Sequence, residues 1–347
     1  MNFDYSEEQQ LLADSVRRFL SEKYSFEARK AVLGGPGWSA EIWEKFAELG
    51  IIGLPLPADH GGFGGGAVDL LAVMEAFGEA LVVEPVLPTY IAARLMQRHP
   101  LLAKVADGGL KLAFAHAEKG ARYRLDHVTT QFANGALRGE KRAVVGAPMA
   151  DKIVVSARDG GNIGLFLIDP PPMKAYGTID GMRAADMQLQ GVKAQKIDGS
   201  MESIEEALDF GAALGCAEAA GAMKFACETT LEYLKTRKQF GVPIGTFQAL
   251  QHRMVDMFIA WEQARSMACL ACSKVDQAES RERKRCVSAA KIKMADSARH
   301  ISQEAIQLHG GMGMSEELKV SHAFRRLTVL CAEFGDADFH LERFASL

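Results

Sequence analysis

The sequence predicts a mainly α-helical protein with a β-rich middle. A helical N-terminal part spans 1–108, a strand-rich domain of barrel or sandwich type 109–198, and a four-helix bundle 199–347. Three observations lead there. Apolar residues recur at helical spacing through the first hundred residues. From about Leu110 they give way to short alternating or β-branched runs broken by Gly, Asp and Pro. After Asp198 the chain turns rich in Ala, Leu and Glu, in stretches far longer than a strand.

Composition narrows the function classes. With 48% hydrophobic and 24% charged residues the chain is ordinary for a soluble globular protein. A net charge of -4 argues against a nucleic-acid binder, yet leaves room for an anionic cofactor held by a few arginines. The opening MNFDYSEEQQ has neither a basic n-region nor an apolar h-region, so no secretory signal is expected. No run approaches the roughly 20 apolar residues a membrane span needs. All six cysteines fall in the second half of the chain. Cys269 and Cys272 form a lone C-x-x-C inside a helical pattern, with no second pair for zinc. Buried or half-buried thiols in a reducing cytoplasm, and no metal, are expected.

The elements follow in order. A first helix over 5–22 carries Leu11, Leu12, Val16, Phe19 and Leu20 on one face, after a Ser6 placed to cap with Glu8 or Gln9. Ser39 precedes a second helix carrying Ile42, Phe46 and Leu49, which Gly50 ends. GLPLPADHGGFGGG is a breaker-rich loop, and helices follow at about 68–81 and 87–96. KLAFAHAE, VTTQFA, GALRGEKRAVVG, DKIVVSAR, IGLFLID and DMQLQGV read as strands. Their close spacing predicts antiparallel pairing and leaves no room for crossover helices. Residues 203–237 read as one long helix whose small residues Gly211, Ala212, Gly215, Ala219 and Gly221 let a neighbour approach closely. Two more long helices follow at about 249–275 and 281–309. Bundles of this kind commonly bury their outer faces by oligomerising.

Three segments exceed what packing needs. In TRKQFGVPIGTFQALQ, residues 236–251, a long helix ends in a basic turn with an aromatic, a Gly and a Pro. Arg237 offers a planar fork suited to phosphate or carboxylate, and Phe240 a ring for a flat ligand. A plain helix C-terminus with dipole-matched cations explains the same pattern. In AIQLHGGMGMSEEL, residues 305–318, Gly310, Gly311 and Gly313 would let a ligand reach backbone amides, or simply make a tight turn. The spacing is not G-x-G-x-x-G and no strand precedes it, so the dinucleotide fingerprint does not apply. In CAEFGDADFHLERF, residues 331–344, Gly335 breaks one helix and Asp336 or Asp338 starts the next as a cap.

Together these segments resemble the acyl-CoA dehydrogenase family over essentially the whole chain. RKQFG at 237–241, FQALQ at 247–251 and QLHGGMG at 307–313 match its flavin-binding motifs in order and spacing. ADHGGFGGG at 58–66 matches its N-terminal loop, and FDYSEEQQLLADSVRRF its first helix. YLKTRKQFGVPIG, QARSMA and FGDADFHL are similar to short bacterial members, including small subunits of pimeloyl-CoA dehydrogenase and subunits serving steroid side-chain degradation. The resemblance implies the family's fold, FAD as cofactor, and α,β-dehydrogenation of an acyl-CoA thioester. It also implies a homo- or hetero-oligomer (dimer or tetramer) and electron-transferring flavoprotein as acceptor. It assigns Arg237 to the FAD pyrophosphate and Phe240, Ile244, Phe247 and Leu250 to the adenine side. Gln307 and Gly311 would meet the same FAD from a neighbouring subunit.

The departures matter equally. The family's usual base is a Glu in a Y-E-G-T motif, and the matching segment reads Glu333-Phe334-Gly335-Asp336. Its alternative seat, on the first long bundle helix, falls at Gly211. FAHAEKGARY at 114–123 replaces the flavin-contacting Thr-Glu-Pro-Gly-Ala-Gly-type loop, and RAVVG at 142–146 a Trp-Ile-Thr-type segment. His116 therefore reads either as a flavin or substrate neighbour or as a structural loop histidine. Three classes stay open: a dehydrogenase, alone or with a partner carrying the base; an oxidase or monooxygenase on the same scaffold; and a non-catalytic subunit completing an FAD site.

Overall fold

The computed structural model describes residues 6–96 and 98–347. Tyr5, which opens the first expected helix, lies outside the described residues. Helix α1 (Glu7–Lys23) begins where Ser6 accepts from the Gln9 N–H at 3.2 Å while the Gln9 side chain accepts from the Ser6 N–H at 2.9 Å. That capping box satisfies two otherwise orphaned donors. Helix α2 (Phe26–Gly34) was not anticipated from periodicity, being too short to repeat its apolar spacing. Helix α3 (Ala40–Glu48) is capped by Ser39, and Gly50 follows it at φ 75. Helices α4 (Ala67–Ala80) and α5 (Val86–Met96) fill the two expected stretches, and a short α6 (Leu102–Ala106) adds one turn.

The chain folds into two compact units. One gathers Lys30–Gly66 and Val83–Gly211. It contains strands β1 (Leu112–Ala115), β2 (Gln131–Ala133), β3 (Ala136–Val145), β4 (Lys152–Asp159), β5 (Asn162–Ile168), β6 (Met173–Gly177), β7 (Arg183–Lys193) and β8 (Gln195–Ile197). All eight join one sheet in the order β6-β7-β3-β2-β4-β5-β8, with β1 also on β4. Leu137, Ile153, Val155, Phe166 and Met187 form its core, and Phe132 stacks on Phe166 at 4.3 Å. Register shifts in the β3–β7 ladder mark bulges that coil the pair.

Wholly antiparallel pairing is corrected: β1 and β2 both run parallel to β4. Between β1 and β4 lie the long 116–130 loop and the β2–β3 hairpin, enough chain to return in the same direction without a crossover helix. Edge strands β6 and β8 escaped the pattern because MKAYG and QKI are largely exposed and do not alternate.

The other unit gathers the chain up to Arg29, Ala67–Val82 and Ala212–Leu347. Here α1 and α4 accompany most of α7 (Met201–Thr236), with α8 (Gln248–Val275), α9 (Ser280–His309), α10 (Lys319–Ala332) and α11 (Ala337–Ala345). The small-residue face of α7 does admit a close neighbour. A β-carbon on Gly221 would lie 1.9 Å from the Glu75 carbonyl oxygen, and one on Gly78 1.9 Å from that of Glu218. Among the described residues no helix is long and apolar enough to cross a membrane. Cys269 and Cys272 are buried free thiols on α8, and burial raises the Cys269 pKa to about 11.

Candidate functional site

Helix α7 stops at Thr236, and the next residues fold into a two-stranded ribbon, β9 (Lys238–Gln239) against β10 (Val242–Pro243). Gln239 pairs with Val242, so Phe240 and Gly241 are the two central turn residues, at φ 55 and 81. Two positive φ values define the primed hairpin turn that suits strand twist. Glycine adopts it freely; phenylalanine does so at a cost on the order of 1–3 kcal/mol. The result is a ring 90% exposed, meeting Phe247 edge-on at 6.2 Å. Arg237 is exposed beside it; its N–H donates to the Tyr233 carbonyl and its carbonyl accepts from the Ile244 N–H, both at 2.8 Å. Ile244 and Leu250 are half-buried, and Phe247 is the N-cap residue of α8. The structure thus brings Arg237, Phe240, Ile244, Phe247 and Leu250 into one short hairpin and helix start.

The Gly-rich turn lies where α9 ends. Its three glycines have three different explanations. Gly310 sits at φ 63 and donates to the Gln307 carbonyl, a conformation that disfavours other residues. Gly313 is wedged, since a β-carbon there would be 2.6 Å from the Ile306 carbonyl oxygen. Gly311 is in neither situation: it is exposed, its φ is not positive, and a β-carbon on it would meet nothing within 4 Å. Nothing in the fold of this chain requires glycine at 311. Gln307 is exposed one helical turn before it. The two segments are neighbours, because Tyr233, one turn before Arg237, stacks on His309 at 4.4 Å. Burial lowers the His309 pKa, and its Nδ1 lies 2.8 Å from the Ala305 carbonyl oxygen.

The 333–336 turn is held tightly. The buried Lys291 ammonium donates to the carbonyls of Leu330 (2.8 Å) and Glu333 (2.6 Å), groups that the end of α10 leaves open. His340 Nε2 lies 3.0 Å from the Phe334 carbonyl oxygen, and Nδ1 3.2 Å from Ser288 Oγ. A carbonyl only accepts, so Nε2 carries the proton. Burial, then the charge of Lys291, lowers the His340 pKa to about 3. Phe334 adopts φ 60, and its ring faces Gly215 on α7, where an added β-carbon would meet it at 3.8 Å. Asp336 caps α11, accepting from the Phe339 N–H at 2.9 Å. Glu333 lies 3.6 Å from Arg326, which in turn makes a two-pronged buried pair with Glu218 at 2.6 and 2.8 Å. Asp336 is thus used by the fold as a cap, while Glu333 meets Arg326 only at ion-pair distance, its Oε2 buried and making no hydrogen bond.

His116 lies in the other unit, in a network that sequence reasoning missed. Its Nδ1 is 2.8 Å from Ser156 Oγ, and it also bonds to the Leu125 backbone. Burial, then the charge of Lys141, lowers its pKa to about 4. Lys141, fully buried, donates to Glu118 (2.8 Å), the His116 carbonyl (3.0 Å) and Ser156 (3.1 Å). Burial lowers its pKa to about 8 against the pull of Glu118. Burial would raise the Glu118 pKa, but the Lys141 charge and bonds from Lys141, Thr129 and Thr130 bring it to about 2. These bonds tie the 116–130 loop to β3 and β4, and they place His116 as a neutral loop histidine. The available signal was Lys141 sharing the inward face of β3 with Leu137.

Comparison with known proteins identifies the family. The model of the acyl-CoA dehydrogenase N-terminal domain matches residues 6–104, and that of the C-terminal domain residues 199–346. The chain is 27% identical to "Probable acyl-CoA dehydrogenase YngJ" of Bacillus subtilis, covering 99% of this chain and 98% of that protein. It is 25% identical to "Caffeyl-CoA reductase-Etf complex subunit CarC" of Acetobacterium woodii, covering 92% and 93%. A variant of the Tcur3481-Tcur3483 steroid ACAD superposes with a TM-score of 0.90 at 26% identity, over 98% of this chain and 97% of that one. With both domain models matched in order across most of its length, the chain belongs to the acyl-CoA dehydrogenase family of flavoprotein oxidoreductases.

Proposed function

We propose that this chain binds FAD and takes part, as one subunit of an oligomer, in α,β-dehydrogenation of an acyl-CoA thioester to the 2-enoyl-CoA. The observation that carries this is the strained turn that holds Phe240 out in solvent beside Arg237. Strain of that kind persists where a ligand or partner gives it a use. Arg237 would hold the FAD pyrophosphate through its planar fork, and Phe240, Ile244, Phe247 and Leu250 would line the adenine. Gln307 and Gly311 would meet the FAD of a neighbouring subunit, the open backbone at 311 letting it approach closely. When bound, FAD supplies the acceptor for the β-hydride. The chain divides at 108 and 198 in this reading, supported by the bounds of the two matched domains.

The α-proton needs a base within hydrogen-bond reach. Phe334 and Gly211 fill the family's two seats, while Glu333 and Asp336 are committed to Arg326 and to the α11 cap. The base in this reading comes from a partner subunit. A solved relative whose name joins two polypeptides, Tcur3481 and Tcur3483, supports a mixed assembly, and the Etf complex of CarC, a reductase, supports electron-transferring flavoprotein as the redox partner, here run in the accepting direction. The test is anaerobic bleaching of the flavin absorbance by acyl-CoAs, with and without the product of a neighbouring reading frame. If the chain alone is bleached, and Glu333→Gln or Asp336→Asn abolishes this with FAD retained, the shared-site reading is wrong.

A further inference from the structure

Arg29, at the start of α2, is 1% exposed, and a guanidinium so far from water needs acceptors because it carries only donors. Its Nε donates to the Leu81 carbonyl, just past the end of α4, at 2.7 Å. Its Nη1 lies 3.0 Å from Nδ1 of the buried His322 on α10. His322 Nε2 in turn lies 3.1 Å from the Glu316 carbonyl oxygen, in the turn that leads into α10. All four residues belong to the helical-bundle unit. One chain of bonds thus joins the start of α2, the end of α4, α10 and the turn before it.

The partners fix the protons. A guanidinium cannot accept and a carbonyl cannot donate, so Nδ1 is bare and Nε2 carries the hydrogen. The ring is therefore neutral, and a second proton can enter only at Nδ1. There it would replace an accepted bond by two cationic N–H groups facing each other across 3.0 Å. The other neighbours do not reverse this. Phe26 meets the ring edge-on at 4.9 Å, and Arg325 adds positive charge from the same helix. The Glu316 carboxylate is 3.4 Å from Nε2, but its side chain is 75% exposed and already accepts from Arg325 at 2.7 Å. Burial lowers the His322 pKa; Arg325 and Arg29 act the same way, and the Glu316 carbonyl and carboxylate against them. Lys319 donates to the Glu79 carbonyl at 2.6 Å, and burial lowers its pKa to about 8, so it is already charged where histidines titrate.

Bonds inside the turn are local. The Ser315 N–H donates to the Met312 carbonyl at 3.0 Å, Glu317 N–H to the Ser315 hydroxyl at 3.1 Å, and Leu318 N–H to the Ser315 carbonyl at 3.3 Å. We infer that His322 is a proton-operated latch: neutral, it fastens this turn to the buried Arg29, and protonated, it lets go and the segment from Gly310 to Leu318 loosens. Because the neutral ring is the bound form, the latch is closed above the ordinary histidine pKa of about 6.5 and opens as pH falls below it. The opening itself is independent of the acyl-CoA reading. Only its consequence rests on that reading: Gly311 lies in the same segment, so opening would also loosen the FAD of a neighbouring subunit.

The test is hydrogen–deuterium exchange of residues 312–321 in the FAD-loaded protein at about pH 7 and about pH 5, either side of the histidine range, with intrinsic rates divided out. Exchange so corrected is expected to be at least several-fold faster at the lower pH. His322→Gln offers an oxygen to Arg29 and an N–H to the Glu316 carbonyl at either pH, so there the difference is expected to vanish. In His309→Gln, which removes the other buried imidazole at this turn, it is expected to persist. No difference in the unaltered protein, or one that survives His322→Gln or vanishes in His309→Gln, overturns the inference. Should His322→Gln exchange fast at both pH values, nitrogen NMR of histidine-labelled protein decides, the His322 signals being those that this variant lacks. A neutral ring protonated at Nε2 near neutrality, gaining its Nδ1 proton as exchange rises, supports the latch; a proton on Nδ1 near neutrality overturns it. Opening with flavin fully retained supports the latch and counts against Gly311 as an FAD contact.

Discussion

Replacing Gly311 and Gly313 by alanine, one at a time, separates a glycine kept for folding from one kept for a ligand. At 313 the new β-carbon would be 2.6 Å from the Ile306 carbonyl oxygen and 3.0 Å from the His309 β-carbon. Backbone has to move, and overpacking of this kind costs about 1–3 kcal/mol. At 311 the β-carbon meets nothing within 4 Å and φ is not positive. Alanine there restricts only the unfolded chain, so stability should stay level or rise by about 0.4–1 kcal/mol. The FAD reading reverses the order for cofactor retention, because a methyl at 311 would project toward the ligand supplied by the neighbouring subunit. The assay is a pair of measurements on each variant: the urea midpoint without added FAD, and the flavin-to-protein ratio after gel filtration. Gly313→Ala is expected to lower the midpoint. Gly311→Ala is expected to keep the midpoint and lose flavin. A Gly311→Ala protein that destabilises as Gly313→Ala does, or that keeps its full flavin, would refute the assignment.

The remaining predictions concern charge. Arg237→Ala should lower the flavin-to-protein ratio sharply with the fold intact, since a lost charge-assisted bond is worth on the order of 1.5–3 kcal/mol; Arg237→Lys should fall between, and unchanged occupancy removes Arg237 from the site. His340 is neutral in the fold with a pKa of about 3, against about 6.5 for a free imidazole, so below pH 6.5 the unfolded chain takes up a proton that the folded one refuses. Stability should therefore fall as pH drops from about 6.5 toward 3, by up to about 1.4 kcal/mol per unit for this group. His340→Gln should flatten that decline in acid denaturation curves, and an unchanged slope would show that His340 does not drive it. His116, with a pKa of about 4, adds a decline of the same sign that ends about one unit higher.

What was legible followed from locality. The Ser6–Gln9 box, the Ser39 cap and the long helices from 201 to 309 are written in residues a few positions apart, and the structure places them within one or two residues of expectation. The flavin-type segments were legible as motifs in order. Their internal logic was not, because Gly310, Gly311 and Gly313 look alike in sequence and differ only in φ and in what surrounds them. The Lys141 network was illegible for a plainer reason. Lys141 and Glu118 lie 23 residues apart and Ser156 lies 15 beyond Lys141, so no short window of the sequence contains the network.

The turn around Phe334 shows how the two kinds of reading meet. The family resemblance implies a carboxylate at 334, where the sequence has phenylalanine with acids at 333 and 336, which leaves open whether catalysis merely moved by a residue. The structure argues against so small a move. Lys291 and His340 pin the carbonyls of 330, 333 and 334, so the backbone cannot rotate to bring a neighbour into the place of the phenylalanine without breaking buried hydrogen bonds. Glu333 would also have to leave Arg326, and Asp336 to uncap α11, which alone costs about 1 kcal/mol. Each obstacle is modest, and they add because they act on the same few residues. A rigid turn that presents an aromatic ring to α7 is built to hold that ring, which is why the base is sought on another chain rather than one residue away.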